Sequence, residues 1–395
     1  MINRASRNLK FRSEAGRSRV LSVTRFGEFN PIPKSQQALI VESFEQVIAG
    51  YALYLIFGAP DFVDEISGDF ACIDESLSYL VTRDVVLVSA DGSRVSVQWR
   101  TESMSNSLLL TEQCNHFCIM CSQPPKKEDD SYKFAIAQDV VELLPLETKQ
   151  IGLSGGEPTL FGERLIALLE QTKRVAPNAG VHVLTNGRAF SNFDYAQQWA
   201  RVEHPDLMPG IPLYSADPNV HDYIVQAKGA FQETVSGILN LGRLNQPIEI
   251  RVVIQKQNAS SLPLLADYIV RNLPFVSQVA LMGLEITGFA RANFQDVWID
   301  PADYQRELTQ AVMSLENAGI TTLIFNHQLC VLNPRLRQFA VSSISDWKRE
   351  YLEECNGCIL LEQCGGVFAT SRGVVSEHIA KVVSNEHDKP EGERP

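Results

Sequence analysis

The chain has 395 residues, too many for one ordinary small domain, so its length predicts two or three. Hydrophobic residues make up 45% and charged residues 21%, a balance that fills a sizeable core. The net charge of −12 argues against a molecule built around a nucleic-acid backbone, and no apolar run of about 18 residues exists to span a membrane.

Residues 1–35 are polar and basic, with Arg4, Arg7, Lys10, Arg12, Arg17, Arg19 and Arg25. They read as a flexible arm, either solvated or touching an acidic partner. This start lacks the long apolar core of a secretory signal, although its Arg and Ser content can mimic a transit peptide. Residues 36–104 read as a small β-rich module. Val85-Val86-Leu87-Val88 and Val95-Ser96-Val97-Gln98-Trp99 flank Ala90-Asp91-Gly92-Ser93, whose Asp-Gly step predicts a hairpin turn.

From residue 105 short apolar runs alternate with helix-length segments. Strands are predicted over 107–110, 150–153, 181–184, 212–214, 248–254 and 278–282. Helices are predicted over 163–175, 231–241 and 262–273. Such alternation predicts α/β architecture with a parallel sheet. Six strands are too few for a closed eight-stranded barrel, so the expectation over 105–299 is a partial (β/α)6 TIM-type barrel. Residues 300–383 follow as a C-terminal helix and cysteine-bearing extension. Asp300-Pro301 opens that helix and Gly319 stops it. The charged tail over 384–395 is expected to be disordered.

Seven of the eight cysteines fall into two groups, which predicts metal ligands in a reduced cytoplasm rather than disulfides. Cys72 stands alone and reads as a small buried apolar side chain. The first group is Cys114-Asn115-His116-Phe117-Cys118-Ile119-Met120-Cys121, in a loop directly after an apolar strand. Three thiolates wrap three corners of a cubane and leave one iron without a protein ligand. The alternative is a zinc site with His116 as fourth ligand. The second group is Cys355-Asn356-Gly357-Cys358, then Cys364, with Cys330 upstream. Four thiolates close a second iron–sulfur cluster or a structural zinc site.

The Cx3Cx2C loop after the first strand resembles the radical S-adenosylmethionine (SAM) superfamily. The resemblance implies a 4Fe–4S cluster on Cys114, Cys118 and Cys121 whose open iron binds SAM, with Phe117 and Met120 beside the cofactor. One electron, from an external donor, then cleaves SAM and releases a 5′-deoxyadenosyl radical that abstracts hydrogen from substrate. Ser154-Gly155-Gly156-Glu157-Pro158 resembles the family's motif for the SAM amino group. Two glycines permit close backbone approach and Glu157 can accept from an ammonium; a plain turn is the alternative. Leu184-Thr185-Asn186-Gly187 resembles another family turn. Ser215 is similarly placed for the SAM ribose or carboxylate, and Arg251 for the carboxylate. Ordinary strand-end polarity explains both equally well. His221-Asp222 and Gly229-Ala230-Phe231 match a stretch of peptide-modifying members, and Met282-Gly283-Leu284-Glu285 is placed to flank the adenine.

The later cysteines resemble auxiliary-cluster extensions of radical SAM enzymes, and imply a second, auxiliary 4Fe–4S cluster. A full SPASM extension carries about seven cysteines, and this chain has four after residue 300. Ile119-Met120-Cys121-Ser122-Gln123-Pro124-Pro125-Lys126, Met282–Glu285 and Ser343-Ile344-Ser345-Asp346-Trp347-Lys348 resemble the C-type radical SAM maturase of the His-Xaa-Ser system. That resemblance, over about 75–370, implies modification of a precursor peptide with His-Xaa-Ser repeats, together with a second radical SAM maturase. Alternatives are a radical SAM enzyme acting on RNA or a small metabolite, and a non-catalytic cluster-bearing partner.

Overall fold

A computed structural model describes residues 5–7, 10–13, 15–371 and 373–383. The tail expected over 384–395, and Arg4 of the expected arm, lie outside the described residues. The first sheet holds β1 (Ala5–Arg7), β2 (Phe11–Arg12), β3 (Arg19–Arg25), β4 (Gln37–Val41), β5 (Leu53–Phe57), β6 (Phe70–Ile73), β7 (Val85–Val88) and β8 (Arg94–Trp99). Their order is β1-β8-β7-β3-β4-β5-β6-β2.

This sheet corrects the reading of residues 1–35 as an arm. β3 pairs with both β4 and β7, and Leu21 and Val23 are buried in the core. Its arginines sit at the strand ends, where Arg19 meets Asp69 at 2.8 Å; the basic flanks hid four buried residues between them. The hairpin forms as predicted: β7 and β8 run antiparallel, and Asp91 Oδ1 accepts from Ser93 N at 3.0 Å. Gly92 takes a left-handed φ of 76° there, which a side chain would resist. Cys72 is fully buried among apolar side chains.

The second sheet is parallel throughout and runs in sequence order: β9 (Ser107–Leu109), β10 (Gln150–Ser154), β11 (Gly180–Leu184), β12 (Leu207–Pro212), β13 (Glu249–Val253), β14 (Gln278–Met282), β15 (Thr321–Phe325) and β16 (Ala340–Val341). It has eight strands where the sequence predicted six, because β15 and β16 extend it past residue 299. The fourth strand lies over Leu207–Pro212 instead of 212–214. Pro209, Gly210 and Pro212 mask it, since these residues ordinarily mark a break.

Along each strand alternate residues face opposite ways. Ile151, Leu153, Val181, Val183, Ile250, Val252, Val279 and Leu281 point into the main core. There they meet α1 (Ser131–Glu142), α2 (Glu163–Val175), α3 (Phe193–Arg201), α5 (Ala230–Arg243), α6 (Leu262–Asn272) and α9 (Gln305–Asn317). Between them come α4 (Pro218–Val225), α7 (Gly288–Ala292) and α8 (Phe294–Val297). The opposite face is polar: a Cβ on Gly210 would sit 2.8 Å from His182 Nε2 and 2.9 Å from Arg251 Cδ. Asp300 caps the turn leading to α9 by accepting from Ala302 N at 2.9 Å. The last strands, β17 (Arg349–Glu350) and β18 (Val367–Phe368), form a small antiparallel pair. Among the described residues no helix is long and apolar enough to cross a membrane.

Candidate active site

The first cysteine group occupies the loop between β9 and α1. Asp130, just before α1, fixes its base: Thr111 Oγ1 donates to Oδ1 at 2.7 Å and Glu112 N to Oδ2 at 2.5 Å. The tip is strapped to α4, with Phe117 N to Val225 O at 3.1 Å and Ile119 N to Ile224 O at 2.9 Å. Phe289 N donates to Cys121 O at 2.8 Å, and Asn293 Nδ2 to Ile119 O at 2.8 Å. The Asp130 and Asn293 side chains, with backbone groups of α4 and α7, thus hold the loop.

Burial pushes the Cys114 thiol up to about 12, and neighbouring Glu157 and Cys121 push the same way. Burial also raises Cys118, with Cys121 and Cys114 adding to it, and Cys121 is raised by burial. All three cysteines are half-buried on one loop, where a thiolate is stabilised by bound iron, so the donor set fits an iron–sulfur cluster. Among the described residues no three His, Cys, Asp or Glu side chains close on a single metal ion. A cubane holds its thiolates further apart than one ion does. His116 is buried with its Nε2 unpartnered; burial, Arg188 and His221 lower its pKa to about 3.

The glycine motif packs closely beneath the cysteine loop. A Cβ on Gly155 would sit 2.7 Å from Thr111 O, and one on Gly156 only 2.1 Å from Gln113 O. These glycines let β10's end pack against the cysteine loop, with Gly156 N to Thr111 O at 2.8 Å and Glu157 N to Gln113 O at 2.8 Å. Glu157 is fully buried. Its carboxylate accepts from Thr159 N (2.9 Å), Thr159 Oγ1 (2.6 Å), Thr185 Oγ1 (2.7 Å) and Asn186 N (2.6 Å). These bonds make the side chain an internal clamp between two loops.

Asn186 continues the clamp, donating from Nδ2 to Asn115 Oδ1 at 2.6 Å. Ser215 is buried and its Oγ accepts from Asp217 N at 3.0 Å. Arg251 is paired with Glu249 and donates to Met282 Sδ at 3.2 Å. Met120 is buried, whereas Phe117 is 45% exposed.

A cavity of about 250 Å³ opens beside the thiols, lined by Cys118, Met120, Cys121, Tyr214, Glu285 and Asn326 among others. Tyr214 and Asn326 were not singled out in the sequence, since a strand-end tyrosine and a loop asparagine have no motif of their own. Asn326 carries a signal in its left-handed φ of 62°, and Ser343 Oγ bonds its side chain at 3.0 Å. Glu285 is held by Lys348 and Thr370. Cys121 O accepts from Phe289 N, so the segments around Cys121 and Glu285 meet at the cavity, and Lys348 supports its wall through Glu285.

The second cysteine group gathers after β15. Burial raises the Cys330 thiol, and Cys364 and Cys355 raise it further by their proximity. Cys358 Sγ accepts from Val382 N at 3.4 Å, and Tyr351 Oη donates to Cys364 O at 2.8 Å.

Residues 108–269 match the profile of the Radical SAM superfamily, which carries a 4Fe–4S cluster and uses SAM. No curated protein sequence matches the chain. Among solved structures, Streptococcus suis SuiB bound to S-adenosylmethionine is similar at 13% identity and TM-score 0.49, covering 70% of this chain and 76% of that one. Streptococcus suis SuiB bound to precursor peptide SuiA is similar at 14% and 0.43, covering 58% and 51%. Escherichia coli coproporphyrinogen III oxidase (HemN) is similar at 13% and 0.43, covering 54% and 53%. The chain spans about half the length of the last two.

Proposed function

We propose that this chain is a radical SAM enzyme, a reading supported by the family match over residues 108–269, and that it reductively cleaves SAM and modifies a ribosomally made precursor peptide of the His-Xaa-Ser type. The observation that carries the reading is the cysteine loop: three half-buried thiols, and not four, beside a cavity at the C-terminal end of a parallel sheet. Cys114, Cys118 and Cys121 would hold a cluster there, which would supply the one-electron reduction of SAM that radical chemistry needs. The protein's part is placement and dryness. Met120, Tyr214 and Val253 wall the cavity, and the clamp of Glu157 and Asn186 fixes the cysteine loop.

A partial barrel is the shape this reading requires. Cys118 follows β9 and Asn326 follows β15, six strands away in the sheet. Six steps across a flat sheet measure about 29 Å. Both residues line one small cavity, which supports a curled sheet.

Cys330, Cys355, Cys358 and Cys364 form the auxiliary cluster site, whose four thiolates leave no iron open. Its role is electron transfer or support, and zinc is the competing occupant. The peptide substrate and the second maturase rest on the sequence resemblance, supported by two of its segments, around Cys121 and Met282–Glu285, lining the cavity and the third joining them through Lys348 and Glu285.

Mass spectrometry of a His-Xaa-Ser precursor peptide co-expressed with this chain, with and without the second maturase, tests the reading. A mass change that requires Cys118 supports it. An unaltered peptide, with deoxyadenosine release stimulated instead by RNA or a small metabolite, overturns the peptide assignment. Absence of SAM cleavage under reductant, with partner and peptide present, favours a non-catalytic partner.

A further inference from the structure

Tyr214 follows β12 and lines the same cavity as Cys118 and Cys121. It is only 7% exposed. Among the described residues no group takes a hydrogen bond from its hydroxyl, and that oxygen is not among the sealed, unpartnered buried atoms. A phenol this buried ordinarily has a partner. The ring is held from behind: it stacks on His221 with centroids 5.8 Å apart and planes at 28°, and Phe231 meets His221 edge-on. Tyr214 N donates to His221 Nδ1 at 3.2 Å, which anchors the stack. A tyrosine hydroxyl, whose ordinary pKa is about 10, keeps its proton at neutral pH. The phenol therefore stays protonated and acts as a donor.

We propose that Tyr214 is a positioning residue whose hydroxyl donates a hydrogen bond to the sulfur face of the cluster held by Cys114, Cys118 and Cys121. The proposal rests on the reading of that triad as a cluster site. A donor at sulfur favours the reduced cluster, which carries one more negative charge, and so raises its reduction potential. No bond is made or broken; an external reductant supplies the electron, and Tyr214 sets how readily the cluster accepts it.

The test uses the full chain, anaerobically reconstituted, in wild-type and Tyr214→Phe forms. Iron content, circular dichroism and the midpoint potential are measured, following the cluster signal that changes when SAM is added. Unchanged iron with a more negative midpoint is expected, with about tenfold less reduced cluster at a fixed reductant poise. Electron–nuclear double resonance of the reduced wild-type protein should show an exchangeable proton coupled to that cluster, lost in the variant. Full iron with unchanged potential and coupling overturns the proposal while the cluster reading survives. Absence of any such coupled proton in the wild type overturns it without recourse to the variant. Absence of iron on the triad overturns both.

Discussion

Lys348 Nζ lies 3.1 Å from Glu285 Oε1, and Thr370 Oγ1 donates to the same oxygen at 2.7 Å. This contact ties two stretches of the C-terminal segment to the end of β14, at the cavity wall. Arg100 and Asp346, 2.6 Å apart, fasten the same segment to the N-terminal sheet. The Lys348 and Glu285 side chains are 25% and 14% exposed, so the pair is worth more than a solvated ion pair. Lys348→Met should cost about 1–3 kcal/mol in urea unfolding. Hydrogen exchange should quicken in β17 and β18; unchanged protection there would show that the segment is held elsewhere.

Gly156→Ala probes the packing beneath the cysteines. A Cβ there would lie 2.1 Å from Gln113 O, 2.6 Å from Gln113 C and 3.0 Å from Cys114 Cβ, and the two nearest of these are backbone atoms that do not yield. The variant should keep the N-terminal sheet and lose iron at the first site. Wild-type iron content with normal SAM binding would contradict this account of the glycine.

The site's ligands were legible in the sequence because cysteine spacing is a covalent fact. Cys114, Cys118 and Cys121 need only a loop to act together. The internal partners of Glu157 were not legible, because Thr185 and Asn186 come from another strand's end and no local pattern says which way a carboxylate points. Tyr214 was passed over for the same reason: it faces the thiols only once β12 is paired beside β11 and β13. β3 was lost among arginines, and β12 behind two prolines, since in both the pairing partners override the local composition.

Glu249 supplies a pH dependence. It is buried, and burial opposes its charge, but His182 at 3.3 Å and the paired Arg251 bring its pKa down to about 2. A carboxylate lowered in the folded state adds stability above its unfolded value, near 4.5, and that stability is lost as pH falls toward 2. The contribution is of order 3 kcal/mol. Unfolding measured across pH 5 to 2 (about the span of the two values) should show a steep acid limb in the wild type and a flatter one in Glu249→Gln. Equal slopes would assign acid loss to other carboxylates.

The central claim is that Cys114, Cys118 and Cys121 hold a cluster with one iron open to SAM. Its most direct measurement is deoxyadenosine release by the anaerobically reconstituted chain under a strong reductant, compared with Cys118→Ala. The account predicts release by the wild type, which should bind about eight irons as two cubanes. It predicts none from the variant, whose circular dichroism should be unchanged. Equal release from both proteins, or a wild type that binds only zinc and no SAM, would contradict it.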